Sequence, residues 1–130
     1  MERIYKTYAT GLLPAASAKT IVIAPPRSGE KWKIVRAVRW PNLAVTADDT
    51  NYLSERWYSD TGTSAPITAA RPTTVAGTGF TLHTPEAVTF TGTPLQLEAT
   101  YTEPVHIDIT KAGSGVVADL HYEVEIEVVS

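Results

Sequence analysis

Val116-Val117-Ala118-Asp119-Leu120-His121-Tyr122-Glu123-Val124-Glu125-Ile126-Glu127-Val128 alternates between apolar and polar residues along its whole length. Val116, Ala118, Leu120, Tyr122, Val124, Ile126 and Val128 fall on one face. Val117, Asp119, His121, Glu123, Glu125 and Glu127 fall on the other. Strand side chains point alternately to opposite sides, so the pattern predicts a long strand with one buried face and one wet, acidic face. An antiparallel sheet solvated on one side is the setting such a strand needs.

The segment before it repeats the pattern, with Val105, Ile107 and Ile109 alternating with His106 and Asp108. Between the two lies Lys111-Ala112-Gly113-Ser114-Gly115, a glycine-bearing turn of hairpin length. A hairpin is therefore expected in which Lys111 pairs with Val116. That register sets Ile109 opposite Ala118, Ile107 opposite Leu120 and Val105 opposite Tyr122, with one shared apolar face. It also sets His106 across from His121 and Asp108 across from Asp119 on the wet face.

Further upstream, Thr20 to Ala24 reads as a strand ended by Pro25-Pro26, and Arg27-Ser28-Gly29-Glu30 as a turn. Lys31 to Trp40 follows as a strand with Trp32, Ile34, Val38 and Trp40 on one face, interrupted by Arg36. Leu43 to Val45 can form another, and Asp48-Asp49-Thr50-Asn51 is a dense turn signal. Tyr52 to Ser59 reads as a strand from its Tyr and Trp content. Residues 60–85 read as a long loop with one or two short strands, and Ala87 to Thr91 and Leu95 to Thr100 complete the set. About eight short strands separated by turns predict an all-β fold, an antiparallel β-sandwich of jelly-roll-like form. Residues 20–130 are expected to make this single domain, and residues 1–19 an N-terminal arm or edge strand.

The composition narrows the function classes. With 130 residues the chain has the length of one domain, and it contains no cysteine for disulfides or thiolate metal sites. Its net charge of -3 lacks the basic excess of nucleic-acid binders, so no nucleic-acid partner is expected. No apolar run approaches a membrane span, and Met1 to Lys6 carries no apolar segment behind its charges. A soluble protein kept in the cytoplasm of its producer is the expectation.

Several constellations invite chemistry. The imidazoles of His106 and His121 with Asp108 and Asp119 can in principle hold zinc. A solvated face, or a pH-sensitive subunit interface, is the simpler use, and no metal site or cofactor is assigned. Glu123, Glu125 and Glu127 form an acidic stripe, whereas glycosidase work needs carboxylates at a set separation in a cleft. Lys31, Lys33 and Arg39 can form a basic edge complementary to the acidic strand of a neighbouring copy, as in a ring or trimer. The candidate interface is thus Lys31, Lys33, Arg39, His106, His121, Glu123 and Glu125. Trp32, Trp40, Trp57, Tyr52 and Tyr58 are expected mostly in the core. No nucleophile elbow, phosphate loop or dinucleotide fingerprint occurs, so no catalytic residues are assigned and a non-enzymatic role is expected.

Three stretches together resemble the small β-sandwich virion proteins of tailed bacteriophages, especially head decoration (cement) proteins. They are Thr20 to Pro25 with the Trp32 to Trp40 strand; Val45 to Tyr52; and Pro94-Leu95-Gln96-Leu97 with Val105 through the last strand. The resemblance implies a trimeric sandwich on the outside of an icosahedral shell, clamping neighbouring major-capsid subunits. Similar sandwiches in fibres, necks and tails, or a carbohydrate- or receptor-binding module, are the alternatives. Exposed Trp or Tyr platforms would favour the last of these.

Overall fold

The computed structural model describes residues 2–93 and 97–129. Its strands are β1 (Glu2–Leu13), β2 (Lys19–Ile23), β3 (Lys31–Pro41), β4 (Tyr52–Tyr58), β5 (Arg71–Pro72), β6 (Glu86–Ala87), β7 (Glu98–Thr100), β8 (Val105–Ala112) and β9 (Ala118–Val128). No helix occurs among the described residues. The expected strand from Leu95 begins partly outside them, and so does the Pro94-Leu95-Gln96 part of the resemblance.

Two antiparallel sheets pack against each other. One runs β1-β9-β3-β6 with β7 also paired to β3, and the other runs β2-β8-β4-β5. Of strands consecutive in sequence, only β4 and β5 are neighbours within a sheet. Each step from β1 to β4 carries the chain across to the opposite layer. A long double strand rolled around a core gives this order, which is that of a jelly roll.

The expected hairpin between β8 and β9 does not form. β8 lies between β2 and β4, and β9 lies between β1 and β3 in the opposite sheet. Their apolar faces do share one core, but across the sandwich instead of side by side. Alternation identifies the buried face of a strand and is silent about which sheet holds it. The glycine-bearing segment serves the crossing. Lys111 Nζ donates to the carbonyls of Pro14, Ala15 and Val116 at 3.0, 3.1 and 2.8 Å, clasping this crossing to the β1–β2 connection. Gly115 sits there with φ +72, and a Cβ would lie 1.8 Å from the Ala15 carbonyl oxygen. Only glycine meets both conditions without strain.

Two bulges re-aim side chains. In β1 the register shifts between Ala9 and Gly11, leaving Thr10 as the extra residue. Its hydroxyl accepts from the Leu120 amide at 3.0 Å and donates to the Gly11 carbonyl at 2.6 Å, so the interrupted ladder keeps its partners. Ile4 and Tyr8 face the core side before this bulge and Leu13 after it. Residues 2–13 are thus an edge strand of the larger sheet. In β3 the shift falls between Ile34 and Arg36, with Val35 as the extra residue. Trp32 and Ile34 point inward before it, and Ala37, Arg39 and Pro41 after it. Val38 and Trp40, expected beside Trp32 and Ile34, therefore lie on the outer face. One inserted residue reverses the facing of everything beyond it.

The core is built from Ile21, Ile23, Leu53, Trp57, Val105, Ile107 and Ile109 of one sheet and Trp32, Ile34, Leu120, Tyr122, Val124 and Ile126 of the other, with Ile67 and Phe80 from the connections. Trp57 meets Phe90 and Tyr122 edge-on at ring separations of 5.3 and 5.9 Å. Each such large side chain contributes roughly 1.5–3 kcal/mol on burial. Of the Leu43 to Val45 segment, Val45 makes an isolated bridge to Phe80. The turn expected after it is present: the Asp48 carboxylate accepts from the Thr50 and Asn51 amides at 2.7 and 2.8 Å.

Candidate functional site

Directly paired residues in neighbouring strands share a face, so the registers of β1, β9 and β3 display the outer surface of the larger sheet in rows. Arg3, Glu127, Lys33 and Glu98 make one row; Tyr5, Glu125 and Arg36 the next; Thr7, Glu123, Val38 and Ala87 the third; and Ala9, His121 and Trp40 the fourth. Two carboxylates of the acidic stripe thus stand beside cations of their own sheet, Glu127 between Arg3 and Lys33 and Glu125 beside Arg36. Arg3 Nη1 meets Glu125 Oε2 at 3.1 Å, and His121 Nε2 lies 3.9 Å from Glu123 Oε1. The Glu125 carboxylate, by hydrogen bonding and by its charge, holds the Tyr5 hydroxyl above its ordinary pKa. Exposed pairs of this kind are worth about 0–1 kcal/mol each, so the pattern shapes recognition more than stability.

At one end, Trp40, Asn42, His121 and Glu123 line a shallow depression of about 270 Å³. Asn42 Nδ2 donates to Asp119 Oδ1 at 3.4 Å beside it. Tyr5, on the edge strand two rows away, is 71% exposed. The face offers a charged surface with aromatic side chains, Trp40 at one end and Tyr5 on the edge strand. Between two of its carboxylates, Glu123 and Glu125, Tyr5, Arg36 and Val38 line a small depression of about 40 Å³.

The expected interface residues separate into three places. Lys31, Lys33, His121, Glu123 and Glu125 do share this outer face, Lys31 at its margin opposite Thr100. Arg39 does not belong to a basic edge. The Val35 bulge turns it into the core, where it is 4% exposed. His106 lies on the opposite sheet, so it does not meet His121, and Asp108 does not meet Asp119. Among the described residues no three His, Asp or Glu side chains converge as metal ligands.

Arg39 joins the two sheets. Its Nε donates to Glu55 Oε1 at 2.7 Å and its Nη2 to Glu55 Oε2, a bidentate pair. Trp57 Nε1 donates to Glu55 Oε2 at 3.1 Å, and the Tyr122 hydroxyl donates to Oε1. Arg39 Nη1 reaches Glu86 Oε1 at 3.3 Å, and Arg71 Nε binds the same oxygen at 3.2 Å. Arg71 also lies over the Phe80 ring at 4.7 Å. Burial opposes the charge on Arg39, but the hydrogen bonds and charge of Glu55 outweigh it and raise its pKa. Burial first, then the Glu55 charge, pushes the Tyr122 hydroxyl well above its ordinary value. The network balances Glu55 and Glu86 against Arg39 and Arg71, as a buried charge requires. Sequence reasoning overlooked Glu55, although Leu53-Ser54-Glu55-Arg56-Trp57 places it at an alternate position between two large apolar residues.

The outer face of the smaller sheet is different. Val22, His106 and Tyr58 form one row, and Thr20, Asp108 and Arg56 the next. His106, expected on a wet face, is 7% exposed because its ring stacks on Tyr58 at 5.2 Å and 18°.

Compared with models of known protein families and with curated proteins, the chain matches none.

Proposed function

We propose that the chain is a non-enzymatic structural protein of a tailed-phage virion, a head decoration protein that docks on the outside of the major-capsid shell. The observation that carries the reading is the outer face of β1, β9 and β3, where the carboxylates of β9 stand among Arg3, Lys33 and Arg36 with Trp40 and Tyr5 beside them. Aromatic and arginine anchors within a polar, charge-patterned surface are the composition of a protein-docking site. Jelly rolls recur as capsid and lectin domains, which supports the reading at the level of fold. Trp32 and Trp57 lie in the core, so the indoles do not form the extended platform of a sugar-binding module.

On this reading the partner is the major capsid protein and the resting place is the capsid surface, after synthesis in the host cytoplasm. The chain acts as a homotrimer at threefold positions, and each bound copy stabilises the assembled shell by mass action. The role calls on no cofactor, nucleic acid or membrane.

The test is co-sedimentation of the purified chain with heads of the phage that encodes it, alongside light scattering. Saturable binding that Trp40→Ala weakens supports the proposal, and a trimeric mass supports its symmetry. Failure to bind intact heads at micromolar concentration overturns it.

A further inference from the structure

A second surface lies on the opposite sheet. Thr20 and Val22 of β2, Pro104, His106 and Asp108 of β8 and its approach, and the Thr61-Gly62-Thr63 loop enclose a groove of about 340 Å³. Small-molecule sites start at roughly this size. The loop is held in place over the strands: the Ser64 amide donates to Asp60 Oδ2 at 3.1 Å, and the Ser59 amide donates to the Ala65 carbonyl at 2.9 Å.

The polar groups in the groove are underused. His106 is more than nine-tenths buried, yet among the described residues its ring nitrogens take part in no hydrogen bond or ion pair. Tyr58 fixes the ring by stacking and leaves both nitrogens uncommitted. Asp108 accepts from the Thr20 hydroxyl at 3.3 Å and, among the described residues, meets no cation. Arg56, its neighbour across the strands, instead donates through Nε to the Thr68 carbonyl at 3.0 Å. A half-open carboxylate without a cation and an imidazole whose nitrogens open onto the groove are groups that water or a ligand can satisfy.

We propose that this groove binds a neutral saccharide. His106 and Asp108 are two residues apart on one strand face, about 6.6 Å along it, a separation that hydroxyls on one pyranose ring can bridge. Sugar hydroxyls donate to the carboxylate and either donate to or accept from the imidazole, while the Thr61 and Thr63 side chains offer further hydroxyl partners. Val22, which is 55% exposed, and Pro104 supply apolar surface for the ring's C–H face. The groove holds a carboxylate and no cationic side chain, which excludes an anionic ligand. A large apolar ligand would strip water from Asp108 without replacing its hydrogen bonds. The site is independent of the docking face, which lies on the other sheet.

The experiment follows amide chemical shifts of the full chain in titrations with methyl α-glucopyranoside, methyl α-mannopyranoside, methyl β-galactopyranoside and N-acetylglucosamine. The expected result is saturable shifts from at least one sugar at millimolar concentration, confined to residues 20–22, 58–64 and 104–108. Asp108→Asn should weaken that binding by about tenfold, as loss of a charge-assisted hydrogen bond does. His106→Phe keeps the stack on Tyr58 while removing both nitrogens, so it should fold and also lose binding. Absence of saturable shifts from all four sugars overturns the proposal. So does binding unaltered by both variants, or saturable binding at this groove by N-acetyl-lysine methylamide alone, which would make the site a cation site.

Discussion

Arg39 Nε donates to Glu55 Oε1 at 2.7 Å across the space between the two sheets, in a core otherwise lined by aliphatic and aromatic side chains. Glu55 is 1% exposed, so its charge has no access to bulk water and depends on Arg39, Trp57 and Tyr122. Such a pair contributes little over an apolar replacement, but breaking it is costly because one charge is left buried alone.

Arg39→Met should therefore destabilise the chain by about 3–5 kcal/mol, and Arg39→Met with Glu55→Gln should recover part of that loss, since the amide removes the stranded charge and its oxygen still accepts from Trp57 or Tyr122. Urea unfolding of both variants checks this. A double variant as unstable as the single one would mean that the pair supplies net stabilisation.

Tyr122 sets an alkaline limit. Its folded-state pKa is raised above 10.0 by burial and by the Glu55 charge. The unfolded chain gives up this proton more readily than the folded one, so the stabilisation is complete below the unfolded value and is lost as pH rises through the folded one. Stability should fall above about pH 10, and Tyr122→Phe should flatten that decline. Thermal unfolding across the alkaline range would show whether the decline persists in the variant.

Gly115→Ala should disrupt the crossing between β8 and β9. The added methyl meets the Ala15 carbonyl, and the backbone there has positive φ. A loss above about 2 kcal/mol is expected, more than the usual cost of an alanine at positive φ alone. If this variant unfolds at the same denaturant concentration as the parent chain, the β1–β2 connection yields freely.

Deleting Val35 removes the bulge in β3. Ile34 then joins Arg36 directly, each keeping its partner on β9, so regular alternation still holds Arg39 inward on Glu55 and Trp40 on the outer face. A loss below about 3 kcal/mol is expected in the same unfolding assay, and a loss of about 3–5 kcal/mol, comparable with breaking the pair directly, would mean that Arg39 had turned outward.

Iodide quenching of tryptophan fluorescence should reach one indole of three. Trp57 is 0% and Trp32 6% exposed, while Trp40 opens onto the outer face. Trp40→Phe should abolish the quenchable fraction; its persistence would place another indole at the surface.

Much of this molecule can be read from its sequence because alternation is a local property. The two faces of β9 and the β-sandwich class follow from spacing, and the strand character of β4 from its Tyr and Trp content. What failed is what alternation does not encode. The β8–β9 turn has hairpin length and hairpin glycines, yet its strands join different sheets because each finds two partners elsewhere. The bulge at Val35 carries no composition signal, and it moved Arg39 from the expected interface to the core. Of the expected interface, Lys31, Lys33, His121, Glu123 and Glu125 share one surface because the polar side of β9 and the first half of β3 follow an uninterrupted alternation. His106 was misplaced through the hairpin, and its groove depends on a loop whose path no spacing rule predicts.

The position of β9 also bears on how the chain is made. It is the central strand that joins β1 to β3, with Glu2 opposite Val128. The larger sheet therefore cannot assemble while Val128 is still inside the ribosome, and until then β1 and β3 present unpaired edges. Contacts so distant in sequence close slowly, on the order of milliseconds to seconds for β-sandwich folds. A chain stalled or cut before β9 would expose these edges to its neighbours, and aggregation should be its fate.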